Sequence, residues 1–217
     1  MWKSSNSFYS KLLPAFIICA VVLILFFIGG WFLSGFGFIT MIGLFFSFEA
    51  IKTELGFESG FSTQLCDGSE KSSCSQIINS EKGKIAGFKL SDLSIFLFGT
   101  QLLSLLVLNQ DHLNNYYFLI GVSLLACIPF TLYSVYFQMK VEKKWCPICL
   151  SIIGVIYAQL IYLMFNMTVI LSKVNIDFTT ISLLAAAAFV FAGTYFFAKN
   201  ALIGVGSRNG KYLGLII

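Results

Sequence analysis

The chain has 217 residues, of which 58% are hydrophobic and 11% are charged, and its mean hydropathy is +0.86. A soluble domain is about half apolar and about a quarter charged, so this composition excludes an ordinary soluble protein. The net charge of +4 is small, and no basic stripe with interleaved aromatic residues is present. The composition therefore predicts an integral membrane protein with no nucleic-acid partner.

The apolar runs predict six transmembrane helices, each needing about 20 apolar residues. The stretch 12–48 holds no charged residue and is too long for one crossing, so its glycine-rich segment 29–37 predicts a turn between two helices. Because the second run follows at once, with no small-residue cleavage site between the two, the first is not predicted to be a cleaved signal peptide. The four later spans are predicted at 93–108, 116–138, 147–167 and 178–198.

The cysteines fall into two groups. The chain contains Cys19, Cys66, Cys74, Cys127, Cys146 and Cys149. Cys19 and Cys127 lie inside apolar runs, where a free cysteine commonly packs as a small hydrophobic residue. The other four lie in polar segments or at a membrane boundary. Because only two predicted spans separate their loops, all four are expected at one membrane face, with three pairings open.

The sequence CPIC opens the fifth apolar run. Cys146 and Cys149 are three residues apart and share a helix face, and Pro147 is suited to the first helical turn. Cys146 is therefore expected at the helix N-terminus, where the macrodipole favours a thiolate, with Lys143 and Lys144 adding positive charge. The pattern predicts an exchanging disulfide. At the edge of the bilayer, its natural redox partner is a lipid-soluble quinone.

Two non-catalytic interpretations stay open at this point. The four cysteines could form a structural zinc site, although seven residues separate Cys66 from Cys74 and zinc pairs usually have two to four. A structural disulfide that holds the loop to the bundle would use only two of the four. Tyr157, Gln159 and Gln101 are polar groups within apolar runs and are candidate quinone contacts, but hydrogen bonds between helices are the commoner explanation for such groups.

The order of these motifs resembles the vitamin K epoxide reductase family, particularly its bacterial homologues, over about 43–165. The similarity consists of a Cys-x7-Cys loop, Ser80 placed six residues after Cys74, and a Cys-x-x-Cys that opens a later helix. Ser91 also fits the family pattern. The DsbB-like family of quinone-linked disulfide oxidases carries its Cys-x-x-Cys first and its wider pair later. The order of the two pairs therefore favours the vitamin K epoxide reductase family.

The resemblance implies an all-α membrane protein, a four-helix bundle around a quinone with additional N- and C-terminal transmembrane helices. We expect an N-terminal helix and turn at 1–34, the catalytic bundle at 35–170 and a further helix with a tail at 171–217. The quinone, menaquinone or ubiquinone, is expected to contact Cys149, and we add Ser80, Tyr157 and Gln159 as candidate binding residues.

The resemblance also implies a relay of electrons through the four cysteines. Cys66 exchanges with a thioredoxin-like (DsbA-like) partner protein, Cys74 passes electrons to Cys146, and Cys149 reduces the quinone. The implied function is disulfide bond formation by a quinone-dependent thiol-disulfide oxidoreductase. Its expected place is the bacterial inner (cytoplasmic) membrane with the cysteines on the extracytoplasmic face, since disulfide formation needs an oxidising compartment.

The distribution of positive charge predicts the opposite orientation. With six spans, every lysine and arginine except Lys173 falls on the face that carries the cysteines. The positive-inside rule would place that face in the cytoplasm. An inward-facing quinone or thiol reductase therefore stays as an alternative.

Overall fold

The computed structural model describes residues 6–56, 60–66, 73–80, 84–85, 88–107, 112–174 and 178–213. Most side chains before Gly30, and all of those after Ala201, lie outside that description. Within these ranges the chain is α-helical apart from one small antiparallel ribbon, which confirms the all-α class. The α-helices are α1 (Asn6–Glu54), α2 (Gly60–Cys66), α3 (Cys74–Ile78), α4 (Leu90–Val107), α5 (Leu113–Tyr136), α6 (Pro147–Phe165), α7 (Met167–Lys173) and α8 (Phe178–Leu213).

Two short segments interrupt or extend this helical pattern. The ribbon consists of β1 (Lys84–Ile85) and β2 (Phe88–Lys89), with Lys84 opposite Lys89. Helix α5 continues into one π-helical segment, Phe137–Glu142. Such segments are rare and are frequent at functional sites. This one ends four residues before Cys146, which places irregular backbone next to the predicted redox pair.

Helix α1 is broken at Gly30, inside the segment where the sequence predicts a turn. Gly30 has φ 70° and ψ −159°, a conformation that lies outside the helical region. Glycine adopts positive φ without the steric cost that a Cβ would bring. The structure therefore has a kink at this point and no separate connecting loop. The first predicted span precedes the kink, where most side chains lie outside the described residues.

Five helical segments of the described chain are long and apolar enough to cross a membrane. They are Gly30–Glu54, Leu90–Val107, Leu113–Glu142, Pro147–Phe165 and Phe178–Ala201. Large apolar side chains are exposed on their outer faces, for example Phe165, Phe189 and Phe197. Exposed apolar surface on this scale is expected where lipid, and not water, surrounds the helices. Five of the six predicted spans are thus present, and the chain is a multi-pass membrane protein.

The bundle is formed by α1, α4, α5 and α6, with α8 on the outside. Helix α1 packs against α4 and α6, α5 packs against α6, and α8 packs mainly on α4. The largest fully buried side chains of the bundle include Phe36, Phe98, Leu105, Tyr116, Leu124 and Ile148. The end of α1 and the start of α4 lie on one side of the bundle, and so do the end of the π-helical segment and the start of α6. Both cysteine-bearing connections therefore lie on that side.

The outer helix α8 is attached at three positions between Thr180 and Lys199. Near the start of the helix, the Thr180 hydroxyl lies 3.0 Å from Nδ1 of His112. Further along, the ring of Phe191 fills the space that a side chain at Gly99 would occupy. Beyond it, Lys199 bonds to acidic residues at the end of α1 and the start of α4. This part of α8 therefore packs on the bundle at both membrane sides.

Those acidic residues form a buried ion cluster at the cysteine side of the bundle. The Nζ atom of Lys199 lies 2.9 Å from Oε1 of Glu54 and also bonds to Asp92. Lys89 is 3.3 Å from the same Glu54 oxygen, and the Tyr195 hydroxyl donates to Asp92. The Glu54 side chain is only 6% exposed. Ionisable groups this close to lipid need partners, and this cluster supplies them.

Helices α1 and α4 approach closely at Gly43, which gives a test of the packing. A Cβ at Gly43 would lie 2.5 Å from the ring of Phe98, which is fully buried. We expect Gly43→Ala to destabilise the protein by about 1–3 kcal/mol through overpacking. Its midpoint of thermal unfolding in detergent should fall accordingly.

The matched control is Gly154→Ala on α6, because nothing lies within 4 Å of a Cβ at that position. A glycine-to-alanine change inside a helix otherwise stabilises by up to about 1 kcal/mol. Gly154→Ala should therefore leave the unfolding temperature unchanged or raise it. The same result for Gly43→Ala would contradict the close packing of α1 on α4.

Candidate redox site and its cavity

Cys146 caps the N-terminus of α6. It has extended backbone dihedrals, φ −109° and ψ 99°, and Pro147 follows as the first helical residue. The backbone N–H of Cys149 donates to the Sγ atom of Cys146 at 3.2 Å. The sequence predicts this placement. A sulfur that accepts an N–H at a helix N-terminus is well placed to carry negative charge, as an exchanging thiolate requires.

Gln138 holds the backbone of Cys146 in place. Its Oε1 atom accepts the Cys146 N–H at 2.9 Å, and the side chain is fully buried. The main-chain carbonyl oxygen of Gln138 accepts the backbone N–H groups of Lys143 and Lys144. Lys143 closes the π-helical segment in the left-handed conformation, with φ 52°. The sequence reasoning did not assign a role to Gln138, and the one signal was a polar residue at the end of an apolar run.

The loop cysteines are paired with each other. Cys66, the last residue of α2, forms a disulfide with Cys74, the first residue of α3, and their Cα atoms are 5.6 Å apart. Both side chains are buried, with 6% and 2% exposed. Of the three open pairings, the structure has the one that the family resemblance implies. Cys127, Cys146 and Cys149 carry free thiols.

A main-chain hydrogen bond brings the two pairs together. The N–H of Ser73 donates to the carbonyl oxygen of Trp145 at 3.1 Å. Ser73 immediately precedes Cys74, and Trp145 immediately precedes Cys146. Cys74 and Cys146 also belong to the same buried cluster. The main chain just before Cys74 is therefore bonded to the main chain just before Cys146.

Beyond the second pair lies an apolar cavity of about 380 Å³. It is bounded by α3, α4, α5, α6 and the end of α1, and Cys149 is part of its lining. Its walls include Ile77, Leu97, Phe130, Phe137, Ile152 and Ile156. Cavities that bind small organic molecules have this size and this apolar lining. Cys127 also lines it, from α5.

Ser80 lies near the loop and away from the lining. Its hydroxyl donates to Oε1 of Glu142 at 3.0 Å, and Nε2 of Gln76 donates to the other carboxylate oxygen at 3.1 Å. These bonds connect the segment after Cys74 to the end of the π-helical segment. The expected contact of Ser80 with a quinone is not seen in the described lining, and its bonding supports the position of the cysteine loop.

Tyr157 and Gln159 also stand outside the lining, for different reasons. The hydroxyl of Tyr157 lies 3.2 Å from Oγ1 of Thr131, which does line the cavity, so Tyr157 stands directly behind the wall. Gln159 is fully buried between helices, where its Nε2 donates to Thr40 at 2.9 Å and to Gln101 at 2.7 Å. The side-chain amides of Gln159 and Gln101 thus join helices, which is the commoner role of polar groups in membrane helices.

The described residues contain no group of three or more cysteine, histidine or acidic side chains arranged to hold a metal ion. In the observed pairing, the sulfurs of Cys66 and Cys74 are bound to each other. The site therefore holds one disulfide and one pair of free thiols at the same side of the bundle.

The model of the vitamin K epoxide reductase family matches residues 35–164, which is more than half of the chain. The chain belongs to this family. No curated protein and no solved structure matches the chain. The matched region contains both cysteine pairs, the last part of α1 and nearly all of α4, α5 and α6, whereas α8 lies beyond it. Membership of the vitamin K epoxide reductase family makes this chain a multi-pass membrane oxidoreductase with a disulfide-forming cysteine pair.

Proposed function

We propose that this family member oxidises the dithiol of a thioredoxin-like partner protein and reduces a membrane quinone to quinol. The observation that carries the proposal is the position of Cys149, which lines an apolar cavity between membrane-spanning helices. Its redox partner Cys146 lies on the side of the loop cysteines. Electrons that enter at the loop thus have a continuous path to the cavity.

The proposed relay exchanges disulfides in sequence. A partner thiolate attacks Cys66 and the partner leaves with a disulfide, so that Cys66 and Cys74 become thiols. Cys74 then attacks Cys146 of an oxidised CPIC pair, which restores the loop disulfide and leaves Cys146 and Cys149 as a dithiol. Oxidation of that dithiol releases two electrons and two protons, and a bound quinone accepts both to become quinol. Each exchange is an attack of a thiolate on a disulfide.

The residues around the cavity fit a quinone. Its volume of about 380 Å³ suits a substituted ring, and its apolar walls suit a lipid-soluble ligand. Five hydroxyl-bearing residues of the lining offer polar contacts, namely Ser91, Ser94, Thr131, Tyr133 and Ser134. Menaquinone and ubiquinone both satisfy these requirements.

The partner protein must induce an opening of the loop. Cys66 and Cys74 are 6% and 2% exposed, which is too little for attack by a protein thiol. Ser75 and Gln76 on α3 are exposed beside the disulfide and provide a surface for first contact. A small thioredoxin-like protein that displaces α2 or α3 fits this requirement.

We place the cysteine face outside the cytoplasm of a bacterial inner membrane, because new disulfides persist in an oxidising compartment. The charge pattern favours a second candidate, an inward-facing reductase that runs the same relay in the opposite direction. Labelling of the variant Gln76→Cys in intact cells with a membrane-impermeant thiol reagent separates the two orientations, because residue 76 is exposed on the cysteine face.

The test counts the quinone molecules that the fully reduced protein converts. Purified wild type is reduced with dithiothreitol, freed of reductant and mixed with excess soluble quinone, and the loss of quinone absorbance is recorded. Because two dithiols are connected in series, we expect two quinones reduced per protein. The double variant Cys66→Ser/Cys74→Ser keeps only the CPIC dithiol and should reduce one. No reduction by wild type would refute the proposed function.

A further inference from the structure

Ser134 on α5 connects the redox pair to the cavity. It is 6% exposed and forms part of the cavity lining. One turn further along the helix, Nε2 of Gln138 lies 3.4 Å from the Ser134 hydroxyl oxygen. The same Gln138 side chain accepts the N–H of Cys146 through its Oε1 atom. A chain of hydrogen bonds thus runs from the Cys146 backbone to the cavity wall.

The chemistry of this chain fixes the role of each group. A backbone N–H can only donate, so the Gln138 atom that faces Cys146 must be its oxygen. The other end of the amide is then the NH₂ group, which can only donate. Ser134 must accept that bond, and its own hydroxyl hydrogen is left to point elsewhere. Since Ser134 lines the cavity, its hydrogen is available to a molecule inside.

Three of the four other hydroxyls of the lining are engaged as donors within the protein. Ser91 donates to Glu54 at 2.6 Å, and Ser94 donates to the carbonyl of Ser91 at 3.0 Å. Thr131 donates to the carbonyl of Ile128 at 2.8 Å. These three therefore offer mainly acceptor lone pairs to the cavity.

We propose that Ser134 donates a hydrogen bond to a carbonyl oxygen of the bound quinone. Gln138 is the positioning residue, because its bond to the Ser134 oxygen leaves the Ser134 hydrogen directed to the cavity. The inference rests on the proposed function and adds a residue-level contact to it. A quinone carbonyl can only accept a hydrogen bond, so this contact requires a donor on the protein. Gln138 also anchors Cys146, so one side chain aligns the redox pair and the ligand contact.

The first test compares three single variants in steady-state quinone reduction. Ser134→Ala removes the donor and should raise the KM for quinone about fivefold to tenfold, the effect of one hydrogen bond. Ser134→Thr keeps a hydroxyl and should stay near wild type. The matched control Ser123→Ala removes a hydroxyl of the same helix that donates to the carbonyl of Ile120 at 2.8 Å and lies outside the lining, and it should leave the KM unchanged.

The second test keeps Ser134 but reverses the direction of its hydrogen bond with residue 138. In Gln138→Glu, a carboxylate would accept from both Cys146 and Ser134, which turns the Ser134 hydrogen away from the cavity. The protonated acid can still donate to Ser134, as the amide does. We therefore expect the KM of this variant, divided by that of wild type, to rise with pH. A purely structural role for Gln138 would give a ratio that does not change with pH.

Thermal unfolding and retention of the Cys66–Cys74 disulfide verify that each variant is folded. If wild type reduces quinone and Ser134→Ala has an unchanged KM, the inference is overturned while the proposed function stands. If wild type reduces no quinone, the proposed function itself fails. A raised KM in Ser134→Ala together with a pH-dependent ratio in Gln138→Glu supports the inference.

Discussion

Cys149→Ala is expected to abolish quinone reduction, with a loss of roughly a thousandfold or more, as is usual when a reacting nucleophile is removed. Cys149 is the CPIC cysteine that lines the cavity, and without it Cys146 has no partner with which to form a disulfide. The measurement is the rate of quinone absorbance loss after mixing with reduced protein.

The matched control is Cys127→Ala, because Cys127 is also a free cysteine of the same lining. It lies on α5, outside either pair, and its loss should leave the rate within about twofold of wild type. In Cys149→Ala, the Cys146 thiolate can still attack Cys74 of the loop disulfide and release the Cys66 thiol, but no Cys149 is present to resolve the mixed disulfide. A trapped Cys74–Cys146 disulfide should therefore appear by mass spectrometry under non-reducing conditions. Wild-type rates in Cys149→Ala would exclude Cys149 as the quinone-proximal cysteine.

Glu54→Ala is expected to destabilise the protein by about 3 kcal/mol, because it removes one of the two carboxylates of the buried cluster and leaves one positive charge of the two lysines uncompensated. Glu54 is 6% exposed and lies within 3.3 Å of two lysines, Lys89 and Lys199. It also accepts from Ser91 at 2.6 Å. The change is measured as a lower midpoint of thermal unfolding in detergent, accompanied by easier proteolysis of α8.

Lys144→Met provides the control for the loss of a charged side chain in general. The Nζ atom of Lys144 donates to Oε1 of Gln76 at 2.8 Å, and this bond is exposed to solvent. Surface substitutions usually change stability by no more than about 0.5 kcal/mol, so the unfolding temperature should change little. Equal, small shifts for Lys144→Met and Glu54→Ala would show that the cluster at Glu54 does not hold α8 to the bundle.

Two parts of the structure could be read from local sequence. A run of about 20 apolar residues predicts a membrane-spanning helix, and five of the six runs predicted in this way are such helices in the described part of the chain. The placement of Cys146 at the start of α6 follows from Pro147 and the CPIC spacing, which are also local features. The pairing of Cys66 with Cys74 needed the family resemblance, because spacing alone leaves three pairings open.

The contacts inside the bundle could not be predicted in this way. Whether a polar side chain in a membrane helix faces a cavity or a neighbouring helix depends on the rotation of that helix against its neighbours. Gln159 and Gln138 both stand among apolar residues, yet Gln159 joins Thr40 and Gln101 while Gln138 holds Cys146. Ser134 acquires its role only through Gln138. Such roles arise from the tertiary arrangement, which a single sequence does not specify.

The bond from Ser73 to Trp145 joins main-chain atoms only. Its existence does not depend on which side chains occupy those two positions, provided that residue 73 is not proline, which has no N–H to donate. Mutational drift at these sites can therefore alter the surface shown to a redox partner while the spacing between the two dithiols is retained. The side chains at positions 73 and 145 can therefore change with the partner protein, while the main-chain bond between them stays the same.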